Sequence, residues 1–190
     1  MTLAIEYRTQ ASHSDQANGD CVFVKSIAAV TLFAVVDGLG HGRGAAEASQ
    51  CALARLETLD PQVTIEEVVD VVDRALFATR GAAAMLCRYE NGLLQGCGVG
   101  NVEMRVVGDD LPIVLTPGIL GRRVNRPRFF SGNLRAGTRL LVFTDGISGR
   151  FAAEDFKSFD RRKLCEHMMS KYRRGHDDAS VLVADRGDRT

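Results

Sequence analysis

Apolar positions along this chain recur at two periods, and the changes from one to the other mark out its elements. DCVFVKSIAA (20 to 29) and TLFAVVD (31 to 37) are β-branched and aromatic, lie close together and read as neighbouring strands. Over 44–59 the apolar residues Ala48, Cys51, Ala52, Ala54 and Leu56 fall mostly at helical spacing, and Asp60-Pro61 stops the run. A second helix is announced by Thr64 as N-cap with Glu67 in capping-box position, and by the apolar face Val68, Val69, Val72 and Leu76. Past Arg80-Gly81 the period drops to two. AAMLCRYE, the turn Asn91-Gly92, LLQGCGVG, and then VEMRVVG, with Val102, Met104 and Val106 alternating against Glu103 and Arg105, read as successive antiparallel strands. LPIVLTP, RFFSG and TRLLVFTD predict further strands, a short helix is expected within 153–172, and ASVLVAD is a last strand. Helices set among hairpin-linked strands predict an α+β domain, an antiparallel β core covered by helices.

Composition narrows the picture. With 190 residues, no repeat, no low-complexity tract and no linker, the expectation is a single domain over 1–190. Lys plus Arg and Asp plus Glu both number 24, a balance that offers no field to steer a polyanion, so nucleic acid is not expected as a partner. MTLAIEYRTQ has neither a basic n-region nor a long apolar h-region, and no apolar run is long enough to cross a bilayer, so a cytoplasmic protein without membrane attachment is expected. Five cysteines at 21, 51, 87, 97 and 165 form no CxxC pair and read as small buried hydrophobes.

The candidate chemistry lies where apolar strands meet acids. FAVVDG ends on Asp37-Gly38, LLVFTDG on Asp145-Gly146, GHDDASVLVA places Asp177 and Asp178 just before a strand, and NGDCVFV places Asp20 at the start of one. One Asp-Gly after a strand is ordinarily a turn. If these ends share one sheet edge, the carboxylates converge and repel unless a cation sits between them. Hard oxygen donors without a histidine or thiol set point to magnesium or manganese. Glycine after the acid would let a backbone carbonyl face the ion.

DGLGHG, VGNVEMRV, FTDGIS and GHDDASVLV, in this order, resemble the metal-dependent protein phosphatases of the type 2C superfamily, and within it the SpoIIE-like bacterial branch. The leading NGD, the DGLG-G loop, CGVGNV, the PGILG turn and the DD before the last strand are most similar to its small free-standing stressosome phosphatases, over about Asp20 to Ala184. The resemblance implies an αββα fold, an antiparallel β-sandwich of two sheets flanked by helices, with two Mn²⁺ or Mg²⁺ at one end. It implies Asp37 as bridging ligand, Gly38 as carbonyl ligand, Asp145 and Asp177 as the remaining carboxylates, and Asp20 as holder of metal-bound water. Asp178 stands where the larger family commonly carries asparagine and is expected behind the ligands. Asn101 replaces an aspartate that in many relatives helps hold a third metal, which weakens the case for that site. His41 in the glycine-rich loop is a candidate general acid; the other reading is an exposed loop histidine with no catalytic task. The arginine that grips phosphate in larger relatives has no match in SHSDQANGD, and Arg43 or Arg122 could take its place or be ordinary surface charges. The short segment after PGILG leaves little material for a flap, which implies an open site that accepts a folded protein.

The implied activity is hydrolysis of phosphoserine or phosphothreonine on STAS-type domains of a stressosome-like or anti-sigma partner-switching system, by a monomer. Two other classes compete. Gly40 to Ala45 fits GxGxxA, but Asp37 would then face a pyrophosphate, and a second helix follows where a βαβ unit needs a parallel strand. A non-catalytic phosphatase-fold partner that only binds such a regulator would have no need to keep a cluster of repelling carboxylates.

Overall fold

The computed structural model describes residues 3–12, 17–124 and 126–187. In chain order the elements are β1 (Leu3–Gln10), β2 (Asp20–Ile27), β3 (Val30–Gly38), α1 (Arg43–Thr58), α2 (Ile65–Leu76), β4 (Ala82–Glu90), β5 (Leu93–Val99), β6 (Glu103–Val107), β7 (Leu115–Thr116), β8 (Gly118–Ile119), β9 (Arg123–Val124), β10 (Phe129–Asn133), β11 (Arg139–Phe143), α3 (Arg161–Tyr172) and β12 (Ala179–Arg186). A 3-10 turn covers Ala153–Phe156.

Two large sheets and a two-stranded β8-β9 ribbon result. One large sheet runs β1-β12-β11-β6 and the other β10-β5-β4-β3-β2, with β7 pairing β5 in parallel. β3 shows why they stack. Phe33 and Val35 face the other sheet, in a core with Met85, Cys87, Tyr89, Leu140, Val142, Leu182 and Ala184. Leu32, Ala34 and Val36 face the opposite way, onto Ala48, Ala52 and Leu56 of α1 and Val68, Val72 and Leu76 of α2. The period-two pattern therefore puts an apolar side chain on both faces of a central strand, which only a layer on each side can bury. On the far face of the other sheet, Leu141, Phe143, Val181 and Val183 pack on Leu164, Cys165 and Met168 of α3. The layers are helix, sheet, sheet, helix, as the resemblance implies.

The capping box of α2 forms, with Glu67 N donating to Thr64 Oγ1 at 3.2 Å and Thr64 N to Glu67 Oε2 at 2.9 Å. Asn91 and Gly92 both take positive φ, 50° and 98°, as a type I′ hairpin turn requires. All five cysteines are free; four are buried and Cys51 is half-buried. Ala54, placed on the apolar face of α1 by its spacing, is exposed.

Three expectations change. LPIVLTP is a strand only at Leu115–Thr116: Pro112 has no N–H for a ladder, and Ile113 N turns back to Leu111 O at 2.8 Å. The late helical region splits into the 3-10 turn and α3, which starts at Asp160, whose carboxylate accepts from Lys163 N at 3.1 Å. Residues 3–10, read in the sequence only for their lack of a leader pattern, form a strand along the full length of β12, from Leu3 opposite Arg186 to Gln10 opposite Ala179. Among the described residues no helix is long and apolar enough to cross a membrane.

Candidate metal centre

Register brings the acidic strand ends together. Asp20 begins β2 and Asp37 nearly ends β3, and the antiparallel ladder sets them opposite each other. In the other sheet β11 and β12 are antiparallel, with Phe143 opposite Val181, so Asp145 just after β11 and Asp177-Asp178 just before β12 share one end. Hydrogen bonds within and between the sheets hold these ends together. Thr144 Oγ1 donates to Asp20 Oδ2 at 2.7 Å and accepts from Ser180 N at 2.9 Å. Asp178, buried, accepts from Gly19 N and Ser12 N, both at 2.7 Å. Gly38 N donates to Gly19 O at 2.9 Å.

The two Asp-Gly glycines answer to packing first. A Cβ at Gly38 would stand 2.1 Å from Ala45 O, and one at Gly146 would stand 1.9 Å from Asp178 O. Gly38 thus lets α1 close onto the end of β3, and Gly146 lets the β11 end close onto the β12 start. The expectation that glycine lets the carbonyl face the ion did not include this closeness, which no local pattern encodes.

The electrostatics follow from that crowding. Asp37 is pushed up to about 8, by burial first and then by Asp20, Asp145, Asp177 and Asp178. Asp20 is pushed up to about 7 by burial, against the hydrogen bonds of Thr144 and Ser180, with Asp178 and Asp145 adding repulsion. Asp177 is raised by burial and by Asp145. Such a set fits a cation, because a divalent ion among these oxygens removes the repulsion that holds protons on them.

Among the described residues no three His, Cys, Asp or Glu side chains are gathered around one point as a ready single-ion cage. Several carboxylate oxygens are instead occupied by protein donors: Asp20 by Thr144, Asp178 by two backbone amides, and Asp145 by Asn101 Nδ2 at 2.7 Å. That pattern suits magnesium and manganese, which keep several waters and bind through one or two carboxylates each, better than an ion needing a closed protein cage.

The centre opens into a cleft of about 700 Å³ lined by Asp37, Asp145, Asp177, Asn101, His41 and His176, with Leu39, Pro117 and Ile119 on its walls. His41 stands exposed between Gly40 and Gly42, whose φ values of 88° and 69° give the loop its turn. Asp20 and Asp178 lie below the floor, buried. Asn101 reaches the site through Asp145, and Arg43 and Arg122 are exposed outside the cleft lining. Sequence reading missed His176 and Thr144. His176 precedes the DD pair and Thr144 precedes Asp145, so adjacency to the acids was the available signal.

No protein-family model matches the chain. It is 25% identical over 135 residues to the phosphoserine phosphatase RsbX of Bacillus subtilis (strain 168), covering 68% of this chain and 67% of that protein. A solved structure described as the bacterial stressosome, a modular system adapted to control secondary messenger signalling, is 31% identical, with a TM-score of 0.87 over 97% of this chain and 100% of the other. A crystal structure of RsbX in complex with magnesium superposes with a TM-score of 0.82 at 19% identity, over 96% of this chain and 98% of that one.

Proposed function

This chain belongs to the type 2C superfamily of metal-dependent protein phosphatases, and from that premise we propose that it removes phosphate from phosphoserine or phosphothreonine on STAS-type regulators of a bacterial stress-response partner-switching system. The observation that carries the reading is the convergence of five carboxylates at one end of the two sheets, three of them, Asp37, Asp145 and Asp177, lining one open cleft, with Asp37 raised by burial and by all four of the others.

Asp37, the Gly38 carbonyl, Asp145 and Asp177, with Asp20 behind them, would hold two Mn²⁺ or Mg²⁺. Bound there, the pair supplies Lewis acidity for the phosphoryl oxygens and an activated water near neutral pH. The remaining work falls to the protein. Thr144 fixes the Asp20 carboxylate, Asn101 orients Asp145, and Asp178 holds Ser12 and Gly19 at the start of β12. His41 and His176 line the cleft, and a proton delivered from either would serve a departing serine or threonine oxygen. The protein would work in the cytoplasm as a single-domain monomer.

The test is hydrolysis of p-nitrophenyl phosphate and of a phosphoserine peptide by the metal-stripped protein, with and without added manganese. Turnover that depends on the metal and vanishes with chelator supports the reading. Undiminished turnover after exhaustive metal removal overturns it.

A further inference from the structure

Beside the cleft lies a basic and apolar surface that the chemistry above does not use. After α2 ends at Leu76 the chain turns through Phe77 to Gly81, with Thr79 N donating to Leu76 O and Gly81 N to Thr79 Oγ1. Gly81 O then accepts from Leu39 N at 2.9 Å, which joins this turn to the glycine-rich loop. Phe77 is 76% exposed and Leu39 46%. The Arg80 guanidinium lies across the loop: a Cβ on Gly44 would stand 2.5 Å from its Nε, and a Cβ on Gly40 3.4 Å from its Nη1. Arg122 Nε donates to Arg80 O at 3.3 Å, which holds a second cation beside the first. Among the described residues neither arginine has an acidic partner, and Asp73 on α2 is engaged by Gly121 N at 2.7 Å.

Arg80 stands behind Gly40 and not in the cleft lining, so it meets what flanks a bound phosphate and not the phosphoryl group itself. Unpaired guanidinium groups at a turn that also exposes an aromatic residue have the composition of an interface centre, and guanidinium suits carboxylates bidentately. Resting on the phosphatase reading, we infer that Phe77, Arg80, Arg122 and Leu39 form the docking rim for the phosphorylated partner. The segment accepted there carries acidic side chains, with an apolar one, next to its phosphoserine or phosphothreonine.

The experiment compares kcat/KM on three probes: a phosphoserine peptide flanked by Glu and Leu, the same peptide with Lys for Glu, and p-nitrophenyl phosphate. Wild type should prefer the acidic peptide over the basic one at least ~10-fold, through KM, and the preference should fade as salt rises toward ~1 M. Arg80→Gln should remove most of that preference, and Phe77→Ala should lower the ratio of acidic peptide to aryl phosphate several-fold. Gly44→Ala should displace the guanidinium and reproduce Arg80→Gln while the melting temperature holds or rises, since alanine favours a helix over glycine. Equal rates on both peptides with wild type, or an unchanged preference in Arg80→Gln, overturn the inference while aryl phosphate turnover leaves the phosphatase reading standing. No turnover of any probe with metal present overturns the phosphatase reading instead.

Discussion

The hydroxyl of Thr144, at the end of one sheet, donates to Asp20 Oδ2, at the start of a strand in the other, at 2.7 Å in a buried setting. This bond spans the sandwich at the edge where the acids gather. Thr144→Val should remove the Thr144 donor from Asp20 and leave Ser180 N without its acceptor, costing about 1–3 kcal/mol by urea denaturation. It should also weaken manganese binding, because the Thr144 bond is the main influence holding the Asp20 pKa down against burial. Unchanged stability and unchanged metal affinity would show that the bond holds neither sheet nor site.

Asp37→Asn should act in the opposite sense on stability. It removes one charge from the most crowded position, where burial and four other carboxylates already disfavour ionisation. The metal-free variant should be at least as stable as metal-free wild type, while turnover falls ~10³-fold or more. Near-normal catalysis would place the site elsewhere.

The same crowding sets a pH dependence. In the metal-free fold Asp20 sits at about 7 and Asp37 at about 8, against an ordinary 3.8. Between those values the folded protein keeps protons that the unfolded chain has lost, so stability falls as pH rises from about 4 to about 8. Below about pH 4 both states are protonated, so the contribution of these groups is fully present and adds no further pH dependence. There Asp109, held down to about 2 by Arg135 and its neighbours, acts in reverse and loses its contribution as pH drops. Urea midpoints of the stripped protein should thus peak near pH 4 to 5. Saturating manganese should flatten or reverse the decline above that, with tighter metal binding at higher pH because protons must leave the ligands. A flat metal-free profile from pH 5 to 8 would contradict the raised values.

How far this was legible depended on whether the cause was local. The Asp37-Gly38 and Asp145-Gly146 junctions and the Thr64–Glu67 capping box lie within a few residues and were readable. β1 was not, because of its residues 3–10 only Leu3 is buried and its partner is the last strand. LPIVLTP misled because apolar character says nothing of the missing N–H at Pro112. The register that sets Asp20 opposite Asp37 follows from hairpin pairing, whereas the closure of Asp178 on Gly19 needs the whole sandwich. Arg80 was invisible for the same reason, since only the fold lays it across Gly44.

Gly146→Ala tests that closure directly. The new methyl would meet the Asp178 carbonyl, a backbone group that cannot swing aside as a side chain can. The expected cost is about 3 kcal/mol, the upper part of the usual range for overpacking. Because the displaced segments carry Asp145, Asp177 and Asp178, manganese affinity should drop with stability. A stable variant with normal affinity would mean that the two strand ends can part without harm.

Two imidazoles, His41 and His176, line the cleft, and only one proton is needed per turnover. A serine oxygen leaves as a strongly basic alkoxide unless it is protonated, whereas nitrophenolate leaves without help. His41→Ala should therefore slow a phosphoserine peptide by roughly 10²- to 10⁴-fold and p-nitrophenyl phosphate far less. The variant should also lose the fall in kcat at alkaline pH on the peptide, since that limb reports the acid. Equal losses on both substrates would assign His41 to loop shape. If His176→Ala shows the contrast and His41→Ala does not, proton delivery belongs to the residue beside Asp177, and His41 is an exposed loop histidine.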